Sequence, residues 1–223
     1  MRGSTARRAS RGRSTARRSG RGHRPVDRRT RRRRRLLGGG LIVVGLLAVV
    51  QFGLRPLGDA VEEIRLPLRH EDTIRQQAER WDIDPALIAA MIYEESKFRD
   101  QTSEAGARGV MQITPDTAAF IARLSKGHRF TQEDLAEPNL NIRYGTYYLN
   151  YLLDRRYDGN ETLAVAAYNA GETNVDKWVA AAGGEDGFDP DEDIPFKETR
   201  DYVRDVSEKR EQYRENKGDE LGL

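Results

Sequence analysis

The chain has 223 residues, 33% charged and 37% hydrophobic, and contains no cysteine, which excludes disulfides, thiolate metal sites and a thiol nucleophile. Its net charge of +2 conceals an asymmetry: residues 1–35 carry 16 Arg against the single acid Asp27, or +15, while the remainder carries −13. A uniformly basic nucleic-acid binder is therefore excluded, and no nucleic-acid partner is expected. Three scattered histidines (His23, His70 and His128) do not suggest a metal cluster.

Residues 1–35 are Arg, Ser, Gly, Thr and Ala with almost nothing apolar, the composition of a disordered tail. The next 19 residues, Leu36–Leu54, carry no charge. At helical rise they would cover roughly 28 Å, the thickness of a bilayer's hydrocarbon core. Basic residues before this run and Asp59, Glu62 and Glu63 after it predict a single pass through the cell membrane, with the N-terminus cytoplasmic and the following domain extracytoplasmic. The lipid bilayer is thus one expected partner, and anionic headgroups beside the Arg-rich tail are another. A cleaved signal peptide is the rival, weakened by the length of both runs and by the lack of an A-x-A site after Leu54.

Residues 55–69 read as a juxtamembrane connector. Helical signals then follow in series. Thr73–Trp81 is a short amphipathic stretch, and Asp84-Pro85 supplies a cap and a proline at the first position of a helix through about Lys97. Thr114-Pro115 opens a helix through about Leu124. Apolar residues at helical spacing predict a helix over Asn139–Tyr157, and Thr162–Tyr168 begins another, with Gly171 a candidate C-cap. No long run alternates with period 2. A mainly α domain is expected over residues 70–206, followed by a charged, frayed helix or tail over residues 207–223.

Within the helix opening at Asp84, the directions of Leu87, Ile88, Met91 and Ile92 average to one face; at 100° per residue Glu95 points within about 10° of it and Glu94 about 90° away. A carboxyl at the end of an apolar stripe is desolvated and can stay protonated near neutrality, as a general acid must. The alternative is a stripe that ends earlier and leaves both glutamates solvated.

Glu95 has company. Glu95-Ser96-x-Phe98 is followed by Ala105-Gly106-Ala107-Arg108-Gly109-Val110-Met111-Gln112, then by Pro138-x-x-Asn141-Ile142-x-x-Gly145-x-x-Tyr148-Leu149. Ala167-Tyr168-Asn169-Ala170-Gly171 and Ile194-Pro195-Phe196-Lys197-Glu198-Thr199-Arg200-x-Tyr202-Val203 complete the series. Five blocks in this order resemble the catalytic domain of the soluble-type lytic transglycosylases, relatives of goose-type lysozyme. The resemblance implies a lysozyme-like helical fold behind the transmembrane helix, acting on peptidoglycan glycan strands at the MurNAc–GlcNAc β-1,4 bond. It puts the catalytic acid on Glu95, serving first as acid and then as base for closure of a 1,6-anhydro product, with no metal or cofactor. A hydrolase of the same fold and a non-catalytic wall tether are the competing functions.

For the other blocks, Gly106 and Gly109 suggest a close backbone approach to a sugar or a packed helix. Met111 and Gln112 would face the groove, with core filling the alternative for Met111. The resemblance implies that Tyr168 and Asn169 line the cleft, the tyrosine hydroxyl near the acid. Glu198 is open between a salt-bridge or helix-start role and a role in the reaction. Ser96 positions groups beside Glu95, since no nearby histidine would activate it. The acidic run Asp186–Asp193 matches no calcium loop, and Trp81 and Trp178 are either sugar platforms or core.

Overall fold

The computed structural model describes residues 66–124 and 133–223. The expected tail over 1–35, the span over 36–54, most of the connector and His128 lie outside the described residues. Among the described residues no helix is long and apolar enough to cross a membrane.

The described chain is helical, without a strand. Helices α1 (Glu71–Trp81), α2 (Pro85–Ser96) and α3 (Pro115–Leu124) precede α4 (Pro138–Asn150), which continues into one π-helical stretch, Tyr151–Arg156. Helices α5 (Glu161–Ala170), α6 (Glu172–Ala181), the four-residue α7 (Pro190–Asp193) and the long α8 (Lys197–Leu221) follow. Local chemistry sets the starts. The Asp84 carboxylate accepts from the Ala86 N–H at 2.9 Å, the Thr114 hydroxyl accepts from Thr117 N–H at 3.1 Å, and Asn160 Oδ1 accepts from Leu163 N–H at 3.2 Å. Gly171, at φ +83°, ends α5 as its position predicts.

At the centre lies α2. Ala86 to Ile92 are all buried, so this helix is apolar on every face and not along a single stripe. Helix α8 packs along α2 and against α5, α1 packs against α2 and α4, and α6 leans on α5. What distinguishes the last turn of α2 is that Tyr93, Glu94 and Glu95 emerge from this packing. The direction of Glu95 is the one expected from the sequence; the reason differs.

Two expected boundaries are corrected. Residues 207–223 are not a frayed end: α8 continues through them to Leu221 across a kink at the non-helical Lys217, and Tyr213 and Leu221 are buried. Burying Leu221 alone is worth about 1.5–3 kcal/mol. The end of the connector also belongs to the helical body, because Leu66 and Leu68 enter the core and the Tyr213 hydroxyl donates to Pro67 O at 2.6 Å. The predicted helix over 139–157 is divided at Asn150, where the ladder widens to a π-helix that carries Leu152 into the core.

Candidate active site

Glu95 sits where α2 ends. Lys97 and Phe98 both take left-handed backbone conformations (φ +53° and +59°), turning the chain sharply and driving Phe98 into the core. The following segment, residues 101–113, is a tight loop pinned by isolated β-bridges from Arg108 to Thr102 and to Ile113. Ser96 ties helix to loop: its buried hydroxyl lies 2.7 Å from Val110 O and 3.2 Å from Ile92 O, and its one proton goes mainly to the nearer. Gln101 Nε2 donates to Glu95 O at 3.2 Å.

An open cleft of about 610 Å³ lies over this turn, lined by Glu94, Glu95, Gln112, Asn169, Glu198 and Tyr202, with Lys197, Asp201 and Asp205 on its α8 wall. Residues about 100 positions apart meet because α8 presents 198, 201, 202 and 205 on one helical face toward the end of α2. Tyr202, 9% exposed, donates its hydroxyl to Glu95 Oε1 at 2.7 Å. Burial raises the Glu95 carboxyl to about 7; the Tyr202 hydrogen bond, which favours the ionised form, acts the other way, and the neighbouring Glu94 charge adds to the rise. Glu95 is therefore divided between its protonated and ionised forms near neutral pH, where an ordinary carboxyl is ionised. Glu94 is raised as well, chiefly by burial, and lines the cleft beside Glu95, so the alternative that leaves both glutamates solvated does not hold.

The sequence-predicted residues divide into two groups. Glu95, Gln112, Asn169 and Glu198 line the cleft. Gln112 does so in a left-handed conformation (φ +47°), fixed by Nε2 donation to Gly109 O and Gln101 O at 2.8 and 3.1 Å. Ser96, Gly109 and Met111 lie behind it. Met111 is 0% exposed and packs on Gly145, where an added Cβ would come within 2.4 Å of its sulfur, so it fills the core and does not face the groove. Gly109, at φ +79°, makes its close approach to the packed helix behind it and not to the cleft: a Cβ there would meet Asn141 Nδ2 at 2.2 Å and Leu135 O at 2.5 Å. Tyr168 reaches between the groups, donating its hydroxyl to Met111 O at 3.0 Å, with its own ionisation pushed up by burial and then by the Glu95 charge.

Two contributors have no role assigned from sequence: Tyr202, whose spacing to Glu198 and Val206 puts it on their helical face, and Asn141. Trp81 packs edge-on to Tyr147 and Trp178 lies buried under the half-exposed Phe196. Among the described residues no group of three metal-ligating side chains converges.

Residues 72–189 match the family described as the transglycosylase SLT domain. The chain belongs to this family. It is 37% identical over 153 residues to the soluble lytic murein transglycosylase of Salmonella typhimurium, covering 67% of this chain and 23% of that protein. Against the soluble lytic murein transglycosylase of Escherichia coli it is 34% identical over 170 residues, covering 75% and 26%. The chain thus spans about a quarter of these relatives. A membrane-bound lytic murein transglycosylase C of Actinobacillus pleuropneumoniae is 32% identical over 162 residues, covering 63% and 44%.

Among solved structures, the 70 kDa soluble lytic transglycosylase of Escherichia coli superposes with a TM-score of 0.65 at 33% identity, covering 74% of this chain and 27% of that one. An inactive glutamate-to-glutamine mutant of lytic transglycosylase Slt from Pseudomonas aeruginosa gives 0.63 at 32% identity, covering 70% and 26%. The SLT domain of this chain accordingly has the lysozyme-like helical fold of the lytic transglycosylases.

Proposed function

We propose that this SLT domain cleaves the MurNAc–GlcNAc β-1,4 bond of peptidoglycan and leaves a 1,6-anhydromuramyl end. The observation that carries the reading is Glu95: a carboxyl raised to about 7, so that acid and base forms are both present near neutrality, held by one tyrosine hydroxyl in an open cleft. Protonated Glu95 gives its proton to the glycosidic oxygen as the bond to C1 breaks. The oxocarbenium-like charge is met by the substrate's own N-acetyl group, and the Glu95 carboxylate then takes the proton of the 6-hydroxyl as that oxygen closes onto C1. One carboxyl serves both steps, so no second carboxylate, water or cofactor enters. Gln112, Asn169 and Glu198 are the cleft groups available to hold the sugars. Ser96, Gly109, Met111 and Tyr168 hold the loop that presents Gln112. The names of the Salmonella and Escherichia relatives support the activity, and the inactive Pseudomonas mutant supports a glutamate in the essential role.

Mass spectrometry of digested sacculi tests the reaction. The expected product is anhydromuramyl muropeptides; reducing muramyl ends would instead make the domain a hydrolase, and wall binding without fragments would make it a tether. We further propose that residues 36–54 anchor the domain outside the membrane with residues 1–35 inside, on the strength of the uncharged run and its Arg flank. Protease added to intact spheroplasts should then degrade the domain and spare the tail; a protected domain would reject the topology.

Tyr202→Phe tests the electrostatics of the acid. The hydroxyl stabilises the carboxylate that forms when Glu95 gives up its proton, so its loss makes Glu95 a weaker acid. A charge-assisted hydrogen bond of this kind is worth about 1.5–3 kcal/mol, enough to move a pKa by about 1 unit or more. The alkaline limb of the pH–rate profile should move to higher pH while the maximal rate falls. A limb that stays in place would mean that the hydrogen bond does not tune Glu95.

A further inference from the structure

Asn169 stands exposed at the cleft, and which end of its amide it shows to a ligand decides what that ligand must bring. The answer is set on α8. Thr199 is 2% exposed, and its hydroxyl donates to Asn169 Oδ1 at 2.8 Å. A buried hydroxyl needs an acceptor for its proton, and here the amide oxygen is that acceptor. The oxygen is therefore turned toward α8, and Nδ2 is left facing the cleft with no protein acceptor among the described residues. Asn169 and Thr199 come from α5 and α8, helices that pack directly on each other, so the pair has a fixed frame on both sides.

We propose that Thr199 is a positioning residue that fixes the polarity of Asn169, making this point of the cleft a hydrogen-bond donor for an acceptor oxygen of the bound glycan. It touches no substrate. Its effect reaches the ligand through the amide alone: without the hydroxyl the inward oxygen has no donor, the free amide turns to other orientations, and the donor-out orientation must be recovered on binding at the cost of about one hydrogen bond. The inference rests on the proposed glycan-cleaving reading for its ligand and not for its geometry.

The test is a binding and turnover series on the full chain: wild type, Thr199→Val, Thr199→Ser, Asn169→Ala and the Thr199→Val/Asn169→Ala double variant. The probe is an N-acetylglucosamine oligomer, titrated by calorimetry and by the side-chain amide resonances of ¹⁵N-labelled protein. Valine keeps the volume of threonine and removes the hydroxyl. It should weaken oligomer binding about tenfold, roughly the upper range for one hydrogen bond, with KM on peptidoglycan rising in step and kcat nearly constant. Serine should restore most of the loss. In the Asn169→Ala background, adding Thr199→Val should change binding by less than about twofold, because the amide through which it acts is gone. Circular dichroism establishes that each variant is folded.

Wild-type binding by folded Thr199→Val, equal losses for valine and serine, or a valine loss undiminished in the Asn169→Ala background would each overturn the proposal. So would a wild-type protein that binds no oligomer. A wild type that binds the oligomer but releases no anhydromuramyl product would instead defeat the proposed reaction, and the binding series would still decide the role of Thr199.

Discussion

Glu95→Gln should reduce turnover of peptidoglycan by at least about 10²–10⁴-fold, the usual worth of positioned proton transfer, and toward the upper end because one group acts in both steps. Glutamine keeps the volume and can still accept the Tyr202 hydroxyl, so wall binding should persist. The substitution also carries a sign that a generic loss of function would not. The folded-state value of Glu95 is about 7, above the ordinary 4.5, so the native state holds this proton more tightly than the unfolded chain does. The stability this contributes is complete below pH 4.5 and is lost as pH rises through about 7. Glutamine never ionises. The variant should therefore melt with the wild type in acid and several degrees above it in mild alkali. Glu94→Gln should behave differently: it removes a charge that raises Glu95, so the alkaline limb of the rate profile should move to lower pH with most of the maximal rate retained. A dead Glu94→Gln beside an active Glu95→Gln would move the chemistry to Glu94 and overturn the role given to Glu95.

The elements most legible in the sequence were those with explicit terminal chemistry. Asp84-Pro85, Thr114-Pro115 and Gly171 each state where a helix starts or stops in terms of a backbone group to be satisfied, and each does so in the structure. Reading Glu95 from an apolar stripe reached a residue that lines the cleft, but through an incomplete premise. Helix α2 has no polar face to define a stripe, and Glu95 is special because the helix leaves the core at that turn. The last seventeen residues misled for the opposite reason. Their average is strongly charged, yet two well-placed side chains, Tyr213 and Leu221, anchor the whole segment, and an average does not register two anchors. Helix α6 went unread because Gly171 looks like an end and not also a beginning, and the same residue flanks both helices. The site's supporting contacts were the least legible. Nothing in periodicity says that Tyr202 meets Glu95 across 107 positions or that Met111 is spent on filling the space over Gly145.

Asn141 is the residue whose loss should most damage the fold around the cleft. It is 0% exposed, and all its polar capacity on the loop side is committed: Oδ1 accepts from Met111 N–H at 2.7 Å, and Nδ2 donates to Arg108 O at 2.9 Å and to Leu135 O at 3.0 Å. One α4 side chain thus fastens the 101–113 loop at two points and the short turn Asp134–Ala136 at a third. Asn141→Ala strands the buried Met111 N–H and Leu135 O, leaves Arg108 O with Ile113 N–H alone, and opens a small void, so a loss of about 3–5 kcal/mol is expected, near the top of the range for single substitutions. Asn141→Asp should be no better: it keeps an acceptor for Met111 but sets a carboxylate against two carbonyl oxygens. The cleft should suffer with the fold, since Gln112 follows Met111 and the Tyr168 hydroxyl is bonded to Met111 O. At temperatures where Asn141→Ala remains folded, KM should rise while the pH dependence set by Glu95 stays where it was. Urea unfolding beside steady-state kinetics reads both effects. A variant within about 1 kcal/mol of wild type, the mean cost of an ordinary substitution, would show that the loop is held by its own turns and that Asn141 merely accompanies it.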